Sequence, residues 1–130
     1  MKRILILFLL SIAFFTGCSG DAPKENTYRQ VSMDEAVRIM EEQSGYLILD
    51  VRTPEEYAAG HIPNAVNLPN ESIGSAEISQ LPQKDQLILV YCRSGRRSKE
   101  AAAKLVALGY TNVVEFGGIL DWKGETVREK

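Results

Sequence analysis

Apolar residues are grouped along this chain in short runs that are separated by amphipathic and polar stretches. Residues 46–49 and 87–91 are continuously apolar, which is typical of strands that are covered on both faces of a sheet. Residues 65–68 and 113–116 form two shorter, mainly apolar runs between turn-forming residues. We predict strands at these four places.

The stretches between the runs have the spacing of helices. Ser32, with Glu35 three residues later, forms a capping box. Apolar residues then recur on one helical face, at Met33, Ala36, Val37 and Met40. Residues 98–108 predict a second long helix, which Gly109 ends. A short helical turn is predicted at residues 54–59, a weakly patterned helix at residues 72–81 and a last turn at residues 118–123.

Strands that alternate with helices predict an α/β fold. We expect three layers, with a mostly parallel central sheet and helices on both of its faces. The folded domain is predicted to span residues 31–127. A chain of 130 residues has room for one such domain, and we expect it to be a monomer.

Residues 1–17 are predicted to be a targeting signal rather than part of the fold. A short basic start precedes a nearly continuous apolar segment, residues 4–15, which is too short to cross the roughly 30 Å hydrocarbon layer of a bilayer comfortably. This pattern is typical of a secretory signal peptide. The alternative is a buried N-terminal helix, but the polar residues that follow offer it nothing to pack on.

The end of this segment carries a more specific motif. Residues 15–18, Phe-Thr-Gly-Cys, resemble the lipobox of bacterial lipoproteins, in which the cysteine is lipidated and becomes the new N-terminus. The resemblance implies that Cys18 anchors the exported protein to the extracytoplasmic face of the bacterial cell membrane, since two acyl chains suffice for stable anchoring. Phe15 stands where leucine is usual, so a simple cleavage site is the competing interpretation. Residues 18–30 predict a flexible tether.

Composition and charge narrow the classes of function. The chain is 45% hydrophobic and 25% charged, with a net charge of −2. These are the values of an ordinary globular protein and give no reason to expect a nucleic-acid partner. The two cysteines, Cys18 and Cys92, lie in different surroundings, so no disulfide framework is expected. Together with the single histidine, His61, they are too few for a structural zinc site.

The clearest chemistry lies in the sequence Cys-Arg-Ser-Gly-Arg-Arg-Ser at residues 92–98, which we call the Cys92 loop. It joins a predicted buried strand to a predicted helix, so it presents unpaired main-chain N–H groups at a helix N-terminus. These groups and the helix dipole make an anion site, and three arginines add positive charge. A cysteine here is expected to favour the nucleophilic thiolate. An inert core cysteine is the alternative, but it would not explain the basic residues that follow.

The Cys92 loop, together with Tyr91, resembles the active-site loop of rhodanese-like domains. Two further motifs resemble signatures of that family. One lies in residues 49–67 and comprises Leu-Asp-Val-Arg, Glu-Tyr and Gly-His-Ile-Pro-Asn-Ala-Val-Asn, and the other is Gly117-Gly118 with Trp122. The three motifs occur in the family's order and cover about residues 31–124. Asn64 stands where the family often has glycine, and asparagine also tolerates a left-handed backbone.

The resemblance implies a sulfurtransferase. Cys92 would take the outer sulfur of a small anionic donor such as thiosulfate, hold it as a persulfide, and pass it to a thiol or cyanide acceptor. The residues that would bind the substrate are Arg93, Ser94, Gly95, Arg96, Arg97 and Ser98. Their backbone N–H groups would stabilise the persulfide anion, and the arginines would attract the donor. The resemblance implies no metal and no organic cofactor.

Four residues outside the Cys92 loop have open roles. Asp50 and Arg52 follow a predicted strand, and we expect them to pair and to brace the Cys92 loop; the alternative is a solvated turn. His61 could serve as a general base, but the resemblance implies a structural role. Trp122 is expected to pack in the core.

Two other functions compete with sulfur transfer. A cysteine phosphatase or arsenate reductase has an arginine six positions after its cysteine. In this chain that position is Ser98, and the arginine stands one position earlier, at Arg97. The shorter loop suits a persulfide sulfur better than a tetrahedral oxyanion. The second competitor is a binding or redox-sensing module at the cell envelope, because an exposed thiolate is readily oxidised.

Overall fold

The structure is a computed structural model that describes residues 27–129. The predicted signal peptide, Cys18 and most of the predicted tether lie outside the described residues. In chain order, the described elements are β1 (Arg29–Gln30), α1 (Met33–Glu42), β2 (Leu47–Asp50), α2 (Pro54–Ala59), β3 (Val66–Asn67), β4 (Ile88–Cys92), α3 (Arg96–Ala107) and β5 (Val113–Gly118), with 3₁₀ turns at Asn70–Ser72 and Ile119–Asp121.

The strands form one sheet in the order β1-β5-β4-β2-β3, and each ladder between neighbouring strands is parallel. Helix α3 covers one face of the sheet, where Ala101 and Leu105 belong to the core. Helix α1 covers the opposite face with Ala36 and Ile39. The predicted three-layer α/β fold, with helices on both faces of a parallel sheet, is therefore confirmed.

Strands β2, β4 and β5 alternate their side chains between the two cores. In β4, Val90 and Cys92 face the α3 side, whereas Leu89 and Tyr91 face the α1 side. This alternation follows from the two-residue period of a strand. It explains why the sequence of β4 is apolar throughout, since neither of its faces meets water.

Each of the two long helices begins after a residue that suits the N-cap position. The Ser32 hydroxyl accepts a hydrogen bond from the Glu35 N–H at 3.1 Å, so the predicted N-cap of α1 is confirmed. Helix α3 begins at Arg96, two residues before the predicted start, because Gly95 takes the N-cap position with a left-handed φ of 109°. Gly109 follows the end of α3, also with a left-handed φ, as its position in the sequence predicted.

The prediction of a helix at residues 72–81 is wrong. After the short turn at Asn70–Ser72, this segment has no helix in the structure. Its apolar residues Ile73, Ile78 and Leu81 are buried against the α3 core one at a time. Serine and glycine between them favour turns over helix, and these local preferences prevail over the weak helical pattern.

The predicted tether also extends too far. Arg29 and Gln30 form β1, which pairs with β5 in register with Val114 and Glu115. Both side chains are exposed, so the strand is held by main-chain hydrogen bonds rather than by burial of apolar side chains. A pattern of hydrophobicity cannot reveal such an edge strand. Across residues 27–129, no helix is both long and apolar enough to span a membrane.

Candidate active site

Cys92 is the last residue of β4, so it lies at the carboxyl edge of the parallel sheet, where ligands of open α/β sheets usually bind. Its side chain is buried, with 1% exposure. The sulfur accepts a hydrogen bond from the Gly95 N–H at 3.0 Å. The predicted nucleophile therefore does lie beside a main-chain donor at the N-terminus of α3, as an anion at sulfur requires.

The Cys92 loop is held against the end of β5 by close backbone contact. Cys92 lies in register with Gly118 after an irregularity in the β4–β5 ladder. A Cβ atom added to Gly118 would lie 2.0 Å from the Arg93 carbonyl oxygen, so only glycine fits there. Leu120 donates its N–H to the same oxygen at 3.3 Å. The Gly117-Gly118 motif thus fixes the position of the loop.

The three arginines of the Cys92 loop have different surroundings. Arg97 forms a bidentate ion pair with Glu56, with N–O distances of 2.7 and 3.0 Å. Arg96 is highly exposed and lies 3.8 Å from Glu100 on the same helix, a contact that contributes little to stability. Arg93 is exposed and has no ion-pair or hydrogen-bond partner for its guanidinium among the described residues.

The ion pair of Arg97 changes the titration of both partners. The hydrogen bond from Arg97, opposed by burial, lowers the pKa of Glu56 from 4.5 to about 2. The hydrogen bond to Glu56 is also the main reason why the pKa of Arg97 is raised, and the charge of Cys92 adds to it. Arg97 is therefore committed to Glu56, which leaves Arg93 and the exposed Arg96 as the loop arginines that are free to meet an anion.

Ser94 and Gly95 occupy the turn of the Cys92 loop, while Ser98 lies behind the sulfur. Ser94 is exposed and Gly95 is buried. Ser98 is completely buried, and its hydroxyl oxygen lies 3.3 Å from the Cys92 sulfur. The Ser98 side chain therefore contacts the Cys92 sulfur from the interior of the protein.

Asp50 and Arg52 form a buried ion pair rather than a solvated turn. Arg52 donates to both carboxylate oxygens of Asp50, the shorter distance being 2.7 Å, and Asp50 has no exposed surface. Burial opposes the charge of Arg52, but the hydrogen bonds and charge of Asp50 outweigh it, so its pKa is raised. Arg52 also donates to the Gly60 carbonyl at 2.7 Å, which ties the pair to the end of α2.

Tyr91 connects this ion pair to β4, the strand that ends at Cys92, and no role for it was predicted from the sequence. Its hydroxyl donates to Asp50 at 2.6 Å and accepts from the Ile62 N–H at 3.1 Å. Burial and then the hydrogen bond to Asp50 raise the pKa of Tyr91, so the hydroxyl keeps its proton. Because Tyr91 directly precedes Cys92, it links the Asp50–Arg52 ion pair to the Cys92 loop.

His61 and Trp122 have the contacts of structural residues. The His61 ring stacks on Tyr57 with a centroid distance of 3.7 Å, and its Nδ1 lies 2.8 Å from the Tyr57 carbonyl oxygen. Trp122 packs on the α1 core and donates its indole N–H to the main-chain carbonyl oxygen of Glu125. Asn64 has a φ of 68°, the left-handed conformation that its place in the motif predicted.

A second missed residue, Glu115, lies in the middle of β5 with 3% exposure. Its Oε1 accepts hydrogen bonds from the Ser98 hydroxyl at 2.6 Å and from the Gly117 N–H at 2.8 Å. The sequence did contain a signal, because a glutamate interrupts an otherwise apolar strand. Such a residue is almost never fully buried without a partner.

An open cleft of about 440 Å³ adjoins the Cys92 loop. Arg93 lines it on one side, Glu56 and Gly60 from the α2 region on another, and Ile119 and Leu120 on a third. Most of its surface is apolar, with the free guanidinium of Arg93 at the loop side. Within residues 27–129, no three His, Cys, Asp or Glu side chains are grouped so that they could hold a metal ion.

Comparisons with known proteins agree with this geometry. A family model described as the rhodanese-like domain matches residues 32–125. The thiosulfate sulfurtransferase GlpE of Pseudomonas entomophila is 36% identical over 106 residues, which are 78% of this chain and 94% of that protein. A sulfurtransferase of Allochromatium vinosum is 46% identical over 77 residues, which are 58% of this chain and 70% of that protein.

Solved structures extend the similarity to the fold. A rhodanese-like domain protein from Staphylococcus aureus has a TM-score of 0.67 and 30% identity, and the match covers 78% of this chain and 99% of that one. A rhodanese from E. coli, solved with anions, has a TM-score of 0.59 and 33% identity over 65% of this chain and 99% of that one. This chain therefore belongs to the rhodanese-like domain family.

Proposed function

We propose that this protein is a sulfurtransferase that moves sulfane sulfur from a small anionic donor, such as thiosulfate, to a thiol or cyanide acceptor. The observation that carries the proposal is the position of the Cys92 sulfur, 3.0 Å from the Gly95 N–H at the N-terminus of α3. That position stabilises negative charge at sulfur. The names of the two sulfurtransferase relatives support the same reaction class.

The reaction takes place in two displacements. The Cys92 thiolate attacks the outer sulfur of thiosulfate, the bond between the two sulfur atoms of thiosulfate breaks, and sulfite leaves with its electron pair. Cys92 then carries a persulfide anion. An acceptor thiolate or cyanide attacks the outer sulfur of this persulfide, and Cys92 leaves as the thiolate, ready for another cycle.

The donor is inferred to enter through the cleft beside Arg93. A dianion there meets an exposed guanidinium that no described acidic residue neutralises. Arg96 offers a matched comparison, since it is also an exposed arginine of the Cys92 loop but does not line the cleft. We expect Arg93 to contribute to the binding of the donor and Arg96 to contribute little.

The function is tested by measuring thiocyanate formation from thiosulfate and cyanide with the full chain. We expect turnover that Cys92→Ser abolishes. Arg93→Met should raise the KM for thiosulfate about tenfold, the effect of losing one charge-assisted hydrogen bond, whereas Arg96→Met should change it little. Absence of turnover in folded, reduced protein would favour the alternative, a rhodanese-fold module that binds a partner or senses oxidants without turnover.

We also propose that the protein is exported and anchored through lipid on Cys18. The support is the sequence of residues 1–18 alone, a basic start and an apolar segment that ends in Phe-Thr-Gly-Cys. Metabolic labelling with a clickable palmitate analogue tests it in bacterial cells that express the full chain. Label should appear on the wild type in the membrane fraction and be lost in Cys18→Ser. Equal labelling of both proteins would contradict the proposal.

A further inference from the structure

Beneath the nucleophile lies a buried carboxylate to which the proposed reaction gives no role. Glu115 is 3% exposed, and no lysine or arginine among residues 27–129 forms an ion pair with it. Its Oε1 accepts from the Ser98 hydroxyl at 2.6 Å and from the Gly117 N–H at 2.8 Å. A carboxylate in a strand interior is costly to bury, and both of its printed partners lie at the Cys92 loop and the end of β5.

The surroundings of Ser98 fix the direction of its hydrogen bonds. Besides Glu115, the carbonyl oxygens of Gly95 and Gly117 lie 3.0 and 3.3 Å from the Ser98 oxygen, and these are acceptors only. The hydroxyl has one proton, and the nearest acceptor is the carboxylate. Ser98 therefore presents a lone pair to the Cys92 sulfur, 3.3 Å away, and can accept the thiol proton but not donate to a thiolate.

We propose that Cys92, Ser98 and Glu115 form one proton-sharing chain, in which Glu115 takes up the Cys92 proton through Ser98 when the sulfur becomes anionic. The thiol proton moves to the Ser98 oxygen, and the Ser98 proton moves to Oε1 of Glu115. The electron pair stays on sulfur, and the total charge of these three side chains stays at minus one. Its use in turnover depends on the proposed function, which it deepens.

After the transfer, every hydrogen bond of the chain runs in the opposite direction. The protonated Glu115 donates to Ser98, and the Ser98 hydroxyl donates to the sulfur anion. The sulfur then has two donors, Ser98 and the Gly95 N–H. The same geometry that holds the thiol in the resting protein thus stabilises the thiolate, without a large movement of atoms.

Charge repulsion is the reason why the proton stays on Glu115. In a buried site, a sulfur anion and a carboxylate that are separated by one hydroxyl group repel each other, so the two groups are not both negatively charged. Among the residues around Glu115, α3 contributes Ser98, β4 contributes Cys92, and β1 places the uncharged Gln30 in register. Arg97 interacts with the charge of Cys92 but is held by Glu56.

Glu115 acts through Ser98, so it is a positioning residue, and its protonation is the property to measure. Cys92 is loaded with sulfur by thiosulfate or, separately, by inorganic polysulfide, and mass spectrometry verifies one added sulfur atom. A difference infrared spectrum of loaded minus resting protein should then show the carbonyl stretch of one protonated, buried carboxylic acid. The band should shift when glutamate carboxyl groups carry ¹³C.

Two variants assign the band to its residue. Glu115→Gln should abolish it, whereas Glu77→Gln, at an exposed glutamate outside the site, should leave it unchanged. If Glu115→Gln does not fold, the ¹³C shift in the wild type still identifies a glutamate. A loaded wild type without the band, or a band that persists in Glu115→Gln, overturns the proposal.

The two reagents separate this proposal from the proposed function. If polysulfide loads Cys92 and the band appears but thiosulfate does not load Cys92, the result supports the proton-sharing chain and contradicts the thiosulfate reaction. If thiosulfate loads Cys92 without a band, the result supports the thiosulfate reaction and contradicts the proton-sharing chain. A protein that neither reagent loads contradicts both, since a chain that activates Cys92 must leave it reactive toward polysulfide.

Discussion

Substitution of Gly118 by alanine tests the close contact that positions the Cys92 loop. The added Cβ would lie 2.0 Å from the Arg93 carbonyl oxygen, 2.3 Å from its carbon and 2.5 Å from the Ser94 nitrogen. All three are main-chain atoms, which no side-chain rotation can move away. The φ of Gly118 is −138°, so alanine itself is not strained there, and the effect is steric alone.

The size of the effect follows from this overlap. Non-bonded carbon contacts are comfortable at about 3.5–4.0 Å, so the end of β5 and the loop must separate by more than about 1 Å. A displacement of that size in an active site lowers turnover about 100-fold. Overpacking of this kind also reduces the free energy of unfolding by about 1–3 kcal/mol. Gly118→Ala should therefore fold and lose most of its sulfur-transfer activity.

Two other glycines separate the clash from other effects of alanine. Gly74 has open space for a Cβ and no left-handed φ, so Gly74→Ala should change neither activity nor stability. Gly117 also has open space but a φ of +93°, so Gly117→Ala should cost about 1–2 kcal/mol in backbone strain. Thiosulfate–cyanide turnover and urea unfolding measure both effects. Wild-type turnover in Gly118→Ala would show that the close contact between Gly118 and the Arg93 carbonyl does not position the Cys92 loop.

Three further predictions concern stability. Asp50→Asn leaves Arg52 buried without its counter-charge and should lower the free energy of unfolding by about 3–5 kcal/mol in urea titrations; a loss below about 1 kcal/mol would contradict this role of the pair. The pKa of Glu56 is lowered from 4.5 to about 2, chiefly by Arg97, so its stabilisation is complete above pH 4.5 and fades as the pH falls toward 2. The Tm difference between wild type and Glu56→Gln should shrink over that interval, and a constant difference would argue against the ion pair. Leu105→Ala, at a fully buried position, should cost about 2–5 kcal/mol in urea unfolding, and a neutral result would contradict the packing of α3.

Strands β2 to β5 and the two long helices could be predicted because their own residues determine them. The apolar runs of β2 and β4 are buried on both faces, and Ser32 caps α1 with its own hydroxyl. The segment at residues 72–81 could not be predicted, since tertiary burial of separate apolar residues decides its path. The strand Arg29–Gln30 depends on main-chain pairing with a partner more than 80 residues away in sequence, which leaves no local pattern.

In the candidate site, too, some residues could be predicted from the sequence and others only from the fold. Cys92, its loop and the Asp50–Arg52 pair were found from motifs that are contiguous in sequence. The partners of these residues were not, because they come from other elements: Glu56 from α2 pairs with Arg97, and Glu115 from β5 holds Ser98. A charged residue inside an apolar strand marked Glu115 as unusual, but only the fold reveals which residue it contacts.

Mass spectrometry of the full chain shows whether Cys92 carries the transferred sulfur. Reduced protein is treated with thiosulfate without an acceptor, and the Cys92 peptide is then analysed. We expect one added sulfur atom on Cys92, which cyanide removes, and none at this position in Cys92→Ser. Wild-type protein whose Cys92 gains no sulfur, or gains sulfur that cyanide cannot remove, would rule out Cys92 as the sulfur carrier.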